Sequence, residues 1–272
     1  MAKYNLYLNG NTRIHVTGGN TKIGKGVFNI SLLPSDSPLT KKDGTILTNI
    51  NGTCKGCCDG CKNNCYAVKQ AVYHHNSVIT AWGENTILAR ENMTEFFHQL
   101  DVFFSENIVS VFRWHVGGEF FSKEYMKGVY DFCAKHPDTR FYCYTKRFTW
   151  LEELHEFKPD NLVVNVSIWH NNYSNPLNYP TFIYDDGIDE NIAKMPHCPA
   201  VDKDGHETGI TCAKCRRCFT AKDGNNIAVY AHWLKGNSQK AIPFLTFHVK
   251  HCTQSNMNNL LTFLLHTHMI TF

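Results

Sequence analysis

An α/β core built on parallel strands, followed by a cysteine-rich C-terminal module, is the architecture this sequence predicts. β-rich runs alternate with helical segments at intervals of roughly 30 residues, the spacing of right-handed βαβ crossovers. The 272 residues are 43% hydrophobic and 19% charged, enough to bury one large core. Cysteine is in excess, at 12 residues, and most of it falls in two groups.

The elements follow in order. Gly26 to Leu33 reads as a short strand, stopped by Pro34 and the loop Ser35-Asp36-Ser37-Pro38. Residues 61–73 form a helix after the first cysteine loop, and residues 78–105 are mostly helical, with Gly83 as the place for an interruption. Val109 to Val116 is a β-rich run ending at Gly117-Gly118. A helix over 122–135 takes Ser122 as its N-cap and sets Tyr125, Val129 and Phe132 on one face. Thr139 to Lys146 and Asn161 to Ile168 are further strands, separated by a helix near Thr149 to Phe157. Past Trp169 the chain turns irregular, and the apolar stretch Leu260 to Leu265 has no assigned place. Residues 1–175 are therefore expected to form the core, and 176–272 the cysteine-rich module with a tail.

Composition excludes several classes. A net charge of +3 lacks the basic stripe that non-specific nucleic-acid affinity requires. No stretch approaches the roughly 18 unbroken apolar residues of a membrane span. Met1 to Tyr7 lack the apolar region of a secretory signal, so a reducing, cytoplasmic setting is expected. There, clustered cysteines point to metal rather than to disulfides. Without export, the sequon Asn51-Gly52-Thr53 is a chance match.

The first cysteine group, Cys54, Cys57, Cys58, Cys61 and Cys65, places five thiols within 12 residues. Soft thiolates on one loop suit an iron–sulfur cluster or a zinc ion. The second group, Cys198, Cys212, Cys215 and Cys218, has the spacing C-x13-C-x2-C-x2-C. Four thiolates complete either a tetrahedral zinc or a closed 4Fe–4S cluster, and both stay open here. Lys214, Arg216 and Arg217 could offset thiolate charge or form a solvated face. Cys133, Cys143 and Cys252 stand alone and read as buried free thiols. Between the groups, Gly117-Gly118-Glu119 follows a strand and leads into a helix. In parallel sheets ligands bind beyond the strands' carboxyl ends, where paired glycines let backbone approach and Glu119 could accept from an ammonium group.

Cys54, Cys58 and Cys61 have the C-x3-C-x2-C spacing of radical S-adenosylmethionine enzymes, in which three thiolates hold a 4Fe–4S cluster with one iron open to the cofactor. An aromatic residue usually precedes the third cysteine there, but here Gly60 does, and the aromatic follows in Cys65-Tyr66-Ala67. That resembles a phage-encoded family related to the radical S-adenosylmethionine group, on whose pattern the ligands become Cys54, Cys61 and Cys65. The resemblance covers about residues 24–235, and its most specific pieces are Cys65-Tyr66-Ala67 and the 113–146 stretch. It implies a partial, open β/α barrel with Arg113, His115, Tyr144, Lys146 and Ser167 facing the mouth. It further implies that Gly117, Gly118, Glu119 and Ser167 bind S-adenosylmethionine, with Glu119 on its amine. The chemistry implied is reductive cleavage of S-adenosylmethionine to act on an unknown substrate, fed by an electron donor. The second group would be structural or an electron relay.

Two other readings use the same residues. A non-catalytic, zinc-stapled module could bind nucleic acid or a phage–host partner. Alternatively, the clusters could serve electron transfer or redox sensing without S-adenosylmethionine.

Overall fold

Seven strands make one sheet in the computed structural model, which describes residues 1–57, 59–169 and 175–230. They are β1 (Val16–Thr17), β2 (Val27–Ile30), β3 (Val111–Trp114), β4 (Arg140–Thr145), β5 (Leu162–Trp169), β6 (Thr181–Asp185) and β7 (Asn226–Tyr230). Their order in the sheet is their order in the chain, and the sheet is open, with β1 and β7 as its edges. β1 runs antiparallel to β2, and every later neighbour is parallel. The carboxyl ends of β2 to β7 therefore share one edge, which is where loops of such sheets meet ligands.

The helices are α1 (Asp59–Asn64), α2 (Tyr66–Tyr73), α3 (His75–Glu91), α4 (Met93–Glu106), α5 (Lys123–Lys135), α6 (Phe148–Glu153), α7 (Glu190–Ala193) and α8 (Cys212–Cys215). Ser122 caps α5, its Oγ accepting from Tyr125 N at 3.1 Å, and Tyr125, Val129 and Phe132 are buried as the periodicity required. The long helical run 75–106 breaks at Asn92, not at Gly83. Asn92 Oδ1 accepts from Glu95 N and starts a new helix, α4. Gly83 stays inside α3, because a Cβ there would stand 2.6 Å from Leu6 Cδ1.

Strand alternation sorts side chains onto two unlike faces. Phe112, Trp114, Phe141, Cys143, Leu162, Val164 and Val166 face α3 to α6 and form the main core with Phe96, Leu100 and Val129. The opposite face carries Val27, Tyr142 and the half-buried Tyr144 and Val163, and it packs against Phe219, Cys212 and Cys218. A smaller apolar cluster, Leu6, Leu33, Leu39, Leu47 and Ile79, anchors the chain before the first cysteine loop.

β6 and β7 lie in the region read as irregular, and they continue the sheet in register, with Thr181 opposite Asn226. The expected boundary near residue 175 thus falls between the paired strands β5 and β6, and all described residues belong to one compact unit. The second cysteine group occupies the β6–β7 connection. No described helix is long and apolar enough to cross a membrane. Cys58, Cys252 and the stretch Leu260 to Leu265 lie outside the described residues.

Phe141 is fully buried and makes ring contacts with Phe104, Phe112, Trp114 and Phe132. Phe141→Ala should cost about 3–5 kcal/mol in urea unfolding, since truncation leaves a cavity among rings.

Candidate functional site

The path into the first cysteine loop is fixed by α3. Asn85 Nδ2 donates to Ser31 O at 2.9 Å, and Thr86 Oγ1 accepts from Leu33 N at 2.8 Å. Arg90 donates to the carbonyls of Asn51 and Gly52, each at 2.8 Å. Thr53 then closes the approach, being fully buried with its Oγ1 donating to Leu33 O at 2.9 Å and accepting from Glu119 N at 2.9 Å. Cys54, Cys61 and Cys65 follow on a segment tied at its base.

The turn after β3 and the end of β4 form the other wall. Glu119 Oε1 accepts from Thr145 Oγ1 at 2.8 Å and from Phe120 N at 2.9 Å, while Oε2 accepts from Lys146 N at 2.9 Å. Among the described residues Oε1 is thereby saturated, and Oε2 keeps one free acceptor position. Arg147 spans the gap, donating to Phe120 O and Lys55 O at 2.8 Å each and to Thr53 O at 3.3 Å. Lys146 Nζ donates to Ser167 Oγ at 3.0 Å. Tyr66, next to Cys65, donates its hydroxyl to Val116 O.

The glycines answer to protein neighbours. A Cβ on Gly117 would meet the Trp82 ring at 2.7 Å. Gly118 has φ +87°, and a Cβ there would meet Leu32 Cβ and Thr53 Oγ1 at 2.8 Å. They let the turn seat on α3 and on the base of the cysteine loop.

The thiols share one electrostatic field. Burial pushes the Cys54 thiol up, and Glu119, Cys65 and Cys61 push it further. Burial raises Cys57 to about 11, with Cys61 and Asp36 adding to it. Burial also raises Cys65, against backbone N–H groups at the start of α2 and the Lys146 charge. Such a set holds its protons at neutral pH until a cation arrives, so metal binding would release them.

The second group is built the same way on the sheet's other face. Cys198 N donates to Ala228 O at 2.7 Å, Cys212 N to Lys22 O at 3.2 Å, and Ala213 N to Ile23 O at 2.9 Å. Thr211 Oγ1 caps α8 by accepting from Lys214 N, and Arg216 turns the chain with φ 63°. Asn165 Nδ2 donates to Cys218 O at 3.1 Å, which binds the loop to β5. Burial raises Cys198 and takes Cys218 up to about 12, against the opposing pull of the neighbouring Tyr144 side chain. None of the ten described cysteines is in a disulfide, and Cys133 and Cys143 are buried free thiols as expected. In every trio of described cysteines at least one pair of sulfurs stands more than 4.8 Å apart.

Of the residues expected at the mouth, Lys146 and Ser167 meet there, and Arg113 and Tyr144 lie on the face that meets the second cysteine loop, Arg113 Cζ standing 4.7 Å from the Tyr144 ring centroid. His115 does not face the mouth. With φ 55° it turns into the helix-side core, where its Nε2 meets Tyr125 OH at 3.0 Å and Phe120 packs edge-on. Thr53 and Arg147 went unread in the sequence, because their partners are backbone carbonyls and amides that leave no motif.

The fold and site define a class: an α/β protein with an open, mostly parallel sheet, carrying one thiol-rich loop at the strands' carboxyl edge and another against the face away from α3 to α6. The chain belongs to the gene product 88 family, whose model matches residues 14–221 and so includes both cysteine groups. It is similar to the gene 88 protein of Mycobacterium phage L5, at 26% identity over 228 residues, covering 77% of this chain and 90% of that protein. No solved structure matches it. Of the expected resemblance, the match to a phage family is thereby borne out.

Two outcomes follow from this geometry. Thr53→Ala should destabilise by about 1–3 kcal/mol in urea unfolding, whereas Thr53→Ser should stay near wild type, because only the hydroxyl serves the buried partners. His115 is held down to about 3 by burial and by Arg113, below its ordinary 6.5. The unfolded chain therefore takes the proton first, so this stability is full above pH 6.5 and falls as pH drops toward 3. Urea unfolding should show a loss of about 2 kcal/mol between pH 6.5 and 5 that His115→Gln removes.

Proposed function

We propose that this gene product 88 protein is an iron–sulfur protein resembling radical S-adenosylmethionine enzymes. The observation that carries the reading is the meeting of Cys54, Cys61 and Cys65 with Glu119 and Lys146 at the carboxyl edge of parallel strands. Three thiols leave one coordination position of a 4Fe–4S cluster open. Cys58 remains a candidate fourth ligand of this loop. The sequential strand order, with α3 to α6 on one face, supports a partial β/α barrel.

The chain's own residues would divide the work. Glu119 would take the amine of S-adenosylmethionine on its one free acceptor position, backed by Thr145 and the Lys146 amide. Lys146, held by Ser167, sets a positive charge beside Cys65. Gly117 and Gly118 shape the turn that positions Glu119. The chemistry that the group supplies when bound is one-electron cleavage of the sulfonium, fed by an external donor and directed at an unknown substrate.

A second reading, a non-catalytic metal-stapled binding or redox protein, has its own support. Phe219, Tyr142 and Tyr144 fill the sheet face that an enzyme of this architecture would keep for substrate. Metal and sulfide analysis on anaerobically purified protein separates the readings. About eight irons and eight sulfides per chain, bleached by dithionite, with S-adenosylmethionine cleavage on reduction, is the expected result. Two zincs without sulfide, with cluster loss in handling excluded, would sink it. Cys61→Ala should remove the first metal centre and leave the second.

A further inference from the structure

Arg113 sits where a positive charge is costly. It lies on β3 between β2 and β4, opposite Asn29 and Tyr142, with its guanidinium over the Tyr144 ring at 4.7 Å and the Tyr142 ring at 5.9 Å. Its Nε is buried with no hydrogen-bond partner. Among the described residues it forms no ion pair with a carboxylate. An uncompensated enclosed charge costs several kcal/mol. The rings of Tyr142 and Tyr144 stand around it, and burial holds their hydroxyl protons in place, so they supply no counter-charge. What faces it is the second cysteine group, since Cys212 and Cys218 pack with Tyr142 and Tyr144 on this face.

Four thiolates on one zinc, or on an oxidised 4Fe–4S cluster, carry two net negative charges, and a buried dianion needs cations near it. Lys22 is a second cation in the same field. Its carbonyl accepts from Cys212 N, and its ammonium shares the field of Cys198, Cys212 and Glu207. Glu207 offsets part of the Lys22 charge, so the guanidinium is the less encumbered cation.

We propose that Arg113 is the built-in counter-charge of an anionic metal–thiolate centre held by Cys198, Cys212, Cys215 and Cys218. This rests on the reading of that group as a metal site and adds the residue that makes it tolerable inside the fold. Tyr66, beside Cys65, also lies within its electrostatic reach, so Arg113 stands between the two groups.

The test uses the full chain, purified anaerobically in a Cys61→Ala background so that the second centre alone reports. Arg113→Met should lose metal to a chelator roughly 10–100-fold faster, the effect of removing an outer partner of a metal site. If the metal is an iron–sulfur cluster, its midpoint potential should also move negative, because a lost positive charge disfavours the added electron. Arg113→Lys should restore much of both. Lys22→Met should give a smaller effect of the same sign, and Arg113→Gln stands in if Arg113→Met does not fold. Release rate and potential unchanged in Arg113→Met, or unchanged in Arg113→Gln should Arg113→Met not fold, would overturn the counter-charge. Unchanged metal content in Cys212→Ala/Cys215→Ala would instead overturn the metal site beneath it.

Discussion

Thiols that share one loop repel one another once ionised, and the first cysteine group can exist only because its base is held by bonds that do not involve sulfur. Thr53 is the centre of that arrangement. Its hydroxyl and backbone connect the segment after β2 to the turn after β3, and Arg147 closes the same gap from β4. A buried loop must satisfy its backbone groups, and here the neighbouring strand ends do so. Remove that clamp and Cys54, Glu119 and Lys146 lose their common location.

The two cysteine groups solve the problem of charge differently. The first lies at the strands' carboxyl edge, where Glu119 adds negative charge and Lys146 relieves it. The second is pressed onto the sheet between Tyr142, Tyr144 and Phe219, and its cations are Arg113 and Lys22. The cysteines of both are half-buried, and the first has the Glu119 carboxylate at its wall.

Placing the second group against the sheet changes how the chain is divided. A cysteine-rich segment read alone looks like an appendage, since its spacing forms a complete ligand set by itself. In the fold it is the filling of one face of the sheet, with β7 closing behind it. Asn165 and Arg140 reach from the sheet to its carbonyls at Cys218 and Phe219, so the segment has no independent core to fold around.

Local pattern determined most of the elements. β-rich composition marked β3 to β5, the Ser122 cap marked α5, and thiol spacing marked both loops, because each signal lies within a few residues of chain. The five-residue strands β6 and β7 escaped, as their pairing is set by partners about 45 residues apart in the chain and not by a long run of their own. His115 was legible as a histidine at a strand end, but its positive φ turns it into the core, a choice made by Tyr125 and Phe120 across the α5 packing. Thr53 and Arg147 became visible only in three dimensions, as did the surroundings of Arg113, which the sequence had set at the mouth. Their roles depend on carbonyls, rings and thiols that distant segments bring to them, and a linear sequence carries no record of which distant groups will meet.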